Sequence, residues 1–363
     1  MGATEIEKGI QSRVLEQAAE SCIPLTLMIE TTQVCNFRCV HCYNFDRTAP
    51  HRTTPRNPTD YLHLDEICRI LVEGRGLGCL TLCLTGGEVL LDPRLMSIVR
   101  EAKKLSYAVR LKSNASIVTE VRAKELAKNG VSDCEVSVYG SNQETYQAFT
   151  GRSEQYQKVR EGIKNLVRAG IVTTINLILH KGNYQQFQEM KAMSGELGAD
   201  YQVSLDLTQR YDGTRSSLDW RLGKKELREL YLQNPELYEN SFNDTGSLNC
   251  GCGRVQIAVA SNGKVYPCMG APIECGNIRK QSLKEIWEKS ETMNWLRGLT
   301  PQNYEECQEC PTRRFCQRSS GSVYSNTGNY TGKVEWNCMQ AELIRDISLA
   351  KLKLNPKIKE FTN

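Results

Sequence analysis

From residue 24 to about residue 210 the chain repeats one pattern, a short apolar run followed by a helical stretch. No other feature constrains the fold as strongly. The runs "PLTLMIE" (24–30), "CLTLCL" (79–84), "AVRLKS" (108–113), "DCEVSV" (133–138), "VTTINLIL" (172–179) and "YQVSLDL" (201–207) read as strands. Helices are expected between them: around Asp65–Glu73, after Asp92 as N-cap with Pro93 at the first helical position, over Thr119–Asn129 with Gly130 as stop, over Glu154–Arg168 with Gly170 as stop, and over Tyr184–Leu197. Strands alternating with helices of this length form right-handed βαβ units on a parallel sheet. Six such units make an α/β fold, a partial (β/α)6 TIM-like barrel over residues 24–215. In barrels of this kind the chemistry sits at the C-terminal ends of the strands.

The alternation stops after Gly213. Residues 1–23 read as an N-terminal helical segment and 216–249 as a helical linker. Residues 250–340 form a small, turn-rich, cysteine-rich unit, and 341–363 a C-terminal helix and tail. Within the cysteine-rich unit, "VQIAVASNGKVYPC" reads as a hairpin turning at Asn262-Gly263, followed by a helix over Ser282–Lys289.

Composition excludes several classes of function. A formal net charge of +4 gives no strong attraction to nucleic acid or membrane. No apolar run approaches the roughly 18 residues of a membrane span, and the first twenty residues lack the apolar core of a signal peptide. A cytoplasmic protein is expected. In a reducing compartment, sixteen cysteines point to metal ligation or catalysis rather than to disulfides. Five of them, Cys22, Cys68, Cys79, Cys83 and Cys134, lie in apolar or helical surroundings and read as small buried hydrophobes.

The remaining cysteines fall in two regions. "VCNFRCVHCYNF" puts Cys35, Cys39 and Cys42 on one loop at the end of the first strand. Thiolates select zinc, copper(I) or iron–sulfur clusters. Zinc sites usually come as two cysteine pairs, whereas three thiolates on a four-iron cluster leave one iron open to a chelating small molecule. Cys35-Asn-Phe-Arg-Cys39-Val-His-Cys42 resembles the signature of the radical S-adenosylmethionine superfamily, with His41 at its aromatic position. The resemblance implies a 4Fe–4S cluster held by these three cysteines, with S-adenosylmethionine as fourth ligand. It also implies reductive cleavage to a 5′-deoxyadenosyl radical that takes hydrogen from a substrate. "TGGE" then resembles the family's segment that binds the cosubstrate's amino group, which makes Gly86, Gly87 and Glu88 candidates. "KSNA" and "VSVYG" resemble the ribose-binding segments, with Asn114 and Ser137 as candidates, and His41 is expected to meet the adenine. His63 and His180 read as structural.

The second region resembles the extension called SPASM, which carries auxiliary iron–sulfur clusters. Cys252, Gly263 and Cys268 match its first element, Cys307, Cys310 and Cys316 its second, and Cys338 follows. The resemblance implies one or two auxiliary clusters. The family's last Cys-x3-Cys position is Ser320 here, so the fourth ligand of the first cluster is open. Cys307, Cys310, Cys316 and Cys338 are assigned to the second cluster, and Cys250, Cys252, Cys268 and Cys275 form the pool for the first. Cys275 as the replacement is an inference from count.

Most of the resemblance points to maturases of ribosomally made peptides. Sulfatase maturases match less well, because Met269 stands where they carry a catalytic Asp. A tetrapyrrole side-chain enzyme is the alternative substrate class, and a zinc-stabilised binding module the non-enzyme alternative. The expected partners are a peptide substrate, an electron donor such as flavodoxin or ferredoxin, and a separate small peptide-recognition protein, because the first strand begins near residue 24. Arg47, Arg52 and Arg56 in the loop 46–60 are candidates to meet acidic residues of the substrate.

Overall fold

The structure is a computed structural model that describes residues 10–48, 60–239 and 250–354. Helix α1 (Ile10–Glu20) precedes strand β1 (Thr26–Thr32), and the alternation continues through α2 (Leu64–Leu77), β2 (Thr81–Gly86), α3 (Leu95–Lys104), β3 (Ala108–Ser113), α4 (Glu120–Asn129) and β4 (Val131–Val138). It runs on through α5 (Gln143–Thr150), α6 (Gln155–Arg168), β5 (Val172–Ile178), α7 (Phe187–Glu196) and β6 (Asp200–Ser204). Every pairing from β1 to β6 is parallel between chain neighbours, so the expected six-unit partial barrel is the fold.

The sequence pattern explains the layering. Alternate strand positions, Leu27 and Ile29, Leu82 and Leu84, Val109 and Leu111, Ile175 and Leu177, are all fully buried. On α2 the buried residues Ile67, Ile70, Leu71 and Gly74 recur at helical spacing. Each such side chain contributes about 1.5–3 kcal/mol on leaving water. The stop signals act as expected: Gly130 caps α4 in the left-handed conformation, with φ 114°.

Three local expectations change. After β2 the chain first makes a 3-10 turn over Val89–Leu91, capped by the Glu88 carboxylate. The next helix therefore starts at Leu95, and Asp92 bonds the Arg94 backbone and guanidinium instead of serving as N-cap. The Tyr184–Leu197 stretch is a 3-10 turn (Tyr184–Gln186) running into α7. Helix α5, absent from the expected pattern, lies between Asn142, whose side chain accepts from Thr145 N, and Gly151 at φ 65°.

The larger change concerns the hairpin. Its strands β7 (Gln256–Val259) and β8 (Lys264–Tyr266), with β9 (Gly276–Asn277), extend the barrel sheet instead of folding apart. β7 pairs parallel with β1, Thr26 opposite Gln256 and Ile29 opposite Val259. The sheet thus has nine strands in the order β6-β5-β4-β3-β2-β1-β7-β8-β9.

The helices after the barrel are α8 (Lys224–Gln233), α9 (Leu283–Lys289), α10 (Glu291–Gly298), α11 (Glu305–Gln308), α12 (Ser320–Thr327) and α13 (Glu335–Leu354). Helix α13 begins ahead of the expected C-terminal helix and takes in Cys338.

Candidate active site

The loop after β1 is held from four sides, which fixes its cysteines. Arg38 N and Val40 N donate to the carbonyls of Thr150 and Phe149 at the end of α5, at 2.8 and 3.0 Å. Asn36 donates to Ser116 Oγ and accepts from Asn114 Nδ2, both at 2.8 Å, beyond the end of β3. Arg152 Nε reaches the Asn36 carbonyl at 2.8 Å. From below, Gly87 N bonds Thr32 O at 2.7 Å and Glu88 N bonds Val34 O at 2.8 Å.

Gly86 and Gly87 are required by that last contact. A Cβ on Gly87 would lie 2.3 Å from the Val34 carbonyl and 2.5 Å from that of Gln33, and one on Gly86 2.3 Å from that of Thr32. The two glycines let β2 approach the cysteine loop itself.

Cys35, Cys39 and Cys42 lie within electrostatic reach of one another. Burial pushes the Cys35 thiol up to about 11 and holds Cys39 well above its ordinary value. Both are protonated thiols until a metal displaces the protons. Arg47 counters that burial. It is itself buried, with Nε 3.0 Å from Cys42 Sγ, Nη2 2.9 Å from the Gln33 carbonyl, and its guanidinium 4.4 Å above the Phe45 ring. The expectation that Arg47 faces an acidic substrate is corrected: its charge is engaged by the cysteine loop. Arg52 and Arg56 lie outside the described residues.

The donor set fits a 4Fe–4S cluster with one open iron. Three thiols share one loop within electrostatic reach of one another, and Arg47 beside Cys42 is a cation that would offset the negative charge ligation creates.

Glu88 is completely buried. Oε1 accepts from Ser113 Oγ at 2.7 Å and Leu90 N at 3.0 Å, and Oε2 accepts from Asn114 N at 2.7 Å. Burial raises its pKa against these donors. The carboxylate braces the ends of β2 and β3. Asn114 bridges to Asn36 of the cysteine loop, and Ser137 lies half-buried on β4.

His41 stacks on Phe149 at 4.6 Å and carries a buried Nδ1 without a hydrogen bond. Burial, then His180 and Arg210, lower it to about 3. It is a neutral ring in an aromatic wall. His180 stacks on the other side of that wall, 3.7 Å from Phe149, with Gly182 N donating to its Nδ1 at 3.1 Å. Its Nε2–H therefore donates to the Tyr139 carbonyl at 3.2 Å, a structural role as expected.

Of the C-terminal cysteines, Cys307 and Cys338 stand within electrostatic reach of each other and of both Cys310 and Cys316. Cys250, Cys252 and Cys268 form a second group: the Cys252 and Cys268 sulfurs are 2.9 Å apart, and Cys250 stands within electrostatic reach of Cys252. Both groups fit iron–sulfur ligation by donor type. Cys275 does not join the second group. It packs in the barrel core, its thiol donates to the Ile273 carbonyl at 3.4 Å, and burial pushes it up to about 12. The hairpin turns its neighbour strand into the sheet, which carries Cys275 away. Ser320 is buried and accepts from Arg318 Nη1 at 2.9 Å.

Between the cysteine loop and the C-terminal region lies a cavity of about 590 Å3. Glu30, Gln33, Asn44 and Phe45 form one wall, Gln209–Gly213 another, and Lys264, Tyr266, Met269 and Tyr324 face them. Glu30 escaped the sequence reading. It is a buried carboxylate whose neutral donors are Gln33 Nε2 (3.3 Å), Asn44 Nδ2 (3.1 Å), and Ser261 N and Oγ (3.2 and 2.9 Å). An acidic residue inside an apolar strand was its one signal in the sequence.

Comparison with known proteins agrees with this geometry. The model of the radical SAM superfamily matches residues 29–193, and that of SPASM, an iron–sulfur cluster-binding domain, matches residues 250–311. The PqqA peptide cyclase of Streptomyces rochei is 30% identical over 311 residues, 80% of this chain and 82% of the relative. The AdoMet-dependent heme synthase of Methanosarcina barkeri is 28% identical over 337 residues, 85% of this chain and 94% of the relative. Among solved structures, Streptococcus suis SuiB bound to precursor peptide SuiA superposes with a TM-score of 0.65 at 17% identity, covering 90% of this chain and 81% of SuiB. Native anSMEcpe with bound AdoMet gives 0.64 at 16% identity, covering 91% of this chain and 98% of that one. The chain belongs to the radical S-adenosylmethionine superfamily and is an enzyme of its SPASM branch, using S-adenosylmethionine, a 4Fe–4S cluster and auxiliary iron–sulfur clusters.

Proposed function

We propose that Cys35, Cys39 and Cys42 hold the cluster that works with S-adenosylmethionine, and that the enzyme modifies a ribosomally made peptide by crosslinking, epimerisation or oxidation. The observation that carries the substrate reading is the cavity lined by the end of the cysteine loop and by the C-terminal region. Its side-chain amides, Gln33, Asn44 and Gln209, stand beside the aromatic rings of Phe45, Tyr211 and Tyr266. That mixture suits an extended backbone with a side chain reaching toward the loop. The 30% identity to a peptide cyclase supports the same class.

When bound, the cluster and S-adenosylmethionine supply hydrogen-atom abstraction by a 5′-deoxyadenosyl radical. The protein's part is to orient and to exclude water. Asn114 and Ser137 face the ribose, the Gly86–Glu88 turn takes the amino group of the cosubstrate, and the His41–Phe149–His180 wall offers an aromatic flank for adenine. Cys307, Cys310, Cys316 and Cys338 hold one auxiliary cluster, and Cys250, Cys252 and Cys268 hold another. A flavodoxin- or ferredoxin-type protein supplies electrons.

The second reading is a tetrapyrrole side-chain enzyme. It is favoured by the heme synthase relative, which this chain spans almost end to end. One anaerobic experiment separates the two. The reconstituted enzyme, S-adenosylmethionine and reductant are given peptides encoded beside the gene, or a porphyrin, and the products are weighed by mass spectrometry. A mass change on a peptide supports the proposal, and a change on the porphyrin alone overturns the peptide class. Replacing Cys35, Cys39 and Cys42 with Ala abolishes cleavage of S-adenosylmethionine if the cluster assignment holds, and persistent cleavage refutes it.

A further inference from the structure

The first auxiliary group has three cysteines and needs a fourth donor. Cys275, which counting offers, faces the barrel core beside Arg297 and Glu274, and the hydroxyl of Ser320, which stands where the family's cysteine would be, is held by Arg318. A different side chain stands at the sulfurs. Tyr330 Oη lies 2.8 Å from Cys250 Sγ and within electrostatic reach of the Cys252 sulfur.

The phenol is fixed there. Tyr330 is 4% exposed and packs with Cys252, Cys268 and Tyr304 in one apolar cluster. Its carbonyl accepts from Arg318 Nη2 at 3.0 Å, and its ring meets Trp295 edge-on at 6.1 Å. An oxygen fixed 2.8 Å from Cys250 Sγ, in the same buried cluster as the Cys252–Cys268 sulfur pair, has the position of a ligand.

We propose that the phenol oxygen of Tyr330 is the fourth protein donor of the first auxiliary cluster, completing the set Cys250, Cys252 and Cys268. On ligation the phenol proton leaves to solvent, as the thiol protons do, an Fe–O bond forms and no electron is transferred. The proposal rests on the reading that these three cysteines hold an iron–sulfur cluster.

The test uses the full chain carrying Cys35→Ala, Cys39→Ala and Cys42→Ala, reconstituted anaerobically with iron and sulfide, so that the auxiliary sites alone contribute. Resonance Raman excited in the phenolate-to-iron charge-transfer region is expected to give iron–phenolate vibrations that shift when ring-deuterated tyrosine is incorporated. Tyr330→Phe is expected to abolish them while most of the iron stays bound, and to give a cluster that loses one iron on mild oxidation, seen as a 3Fe–4S signal in EPR. Auxiliary iron without any tyrosine-sensitive vibration overturns the proposal, as do vibrations that persist in Tyr330→Phe. The labelled parent protein decides the question even if Tyr330→Phe fails to fold. Iron content unchanged by Cys250→Ala, Cys252→Ala and Cys268→Ala together would instead refute the underlying reading of those three cysteines.

Discussion

At the scale of single residues, Arg47 and His180 carry the clearest consequences. Arg47 places a permanent charge 3.0 Å from the Cys42 sulfur. A cation beside a cluster favours the more negative, reduced form, because hydrogen bonds and net charge at the sulfurs set the potential. Arg47→Met is therefore expected to move the reduction potential of that cluster to more negative values, with Arg47→Lys between the two. Potentiometric EPR reads the shift, and equal potentials in all three proteins would refute the role. His180 is depressed to about 4, chiefly by burial. A depressed imidazole leaves the folded state with fewer protons than the unfolded chain, so stability is full above about pH 6.5 and falls as pH drops toward 4. The loss is about 2 kcal/mol at pH 5. Urea unfolding of the wild type and of His180→Gln across that window should give a shallower acid slope for the variant. Parallel slopes would mean that His180 is not the group responsible.

At the scale of elements, the end of β2 and helix α5 act as two clamps on one loop. The Gly87 contact leaves no room for a Cβ at 2.3 Å from a carbonyl oxygen. Gly87→Ala is expected to push the loop off its seat and to cut iron binding by about the four atoms of one cluster, with the auxiliary iron retained. Iron analysis of the reconstituted variant checks it, and full loading would show that the loop adapts. On the other side, Asn142→Ala removes the cap of α5, which accepts from Thr145 N at 2.9 Å, at a cost of about 1 kcal/mol. Denaturant midpoints measure that cost, and the carbonyls of Phe149 and Thr150 transmit it to the loop. The sequence signalled β2 and its glycines clearly. It did not signal α5, because a two-turn helix with mixed polarity leaves too short an apolar period to read.

At the scale of the whole molecule, the C-terminal region completes the barrel sheet. β1 is an interior strand because β7 pairs with it, and Ser261 just beyond β7 gives two hydrogen bonds to the buried Glu30 carboxylate. Ser261→Ala removes the hydroxyl of that pair and leaves a buried acceptor short of a donor, at a cost of about 1–3 kcal/mol. Glu30→Gln in the same background should recover part of the loss, since a neutral amide costs less to bury. A chain cut after residue 239 exposes the whole outer edge of β1, and an exposed apolar edge recruits other strands. That fragment is expected to aggregate, which light scattering detects, and a monodisperse fragment would show that the barrel stands alone.

What the sequence by itself determined was whatever repeats or is spaced along the chain. The period of strand and helix gave the partial barrel, and the spacing of Cys35, Cys39 and Cys42 marked the loop proposed to carry the chemistry. Cys307, Cys310, Cys316 and Cys338 were likewise legible as a set. Only the tertiary structure decided the contacts made across long separations: Tyr330 at Cys250, 80 residues away, Ser261 at Glu30, 231 residues away, and β7 against β1. Arg47 shows the same limit at short range, since it lies five residues from Cys42. A surface loop arginine and a buried one have the same sequence, and the direction of its side chain is set by the Gln33 carbonyl and the Phe45 ring that fold around it. Cys275 is the converse. Counting placed it with the metal ligands, and the sheet, in which β8 pairs with β7 and β9 with β8, brings it beside the core.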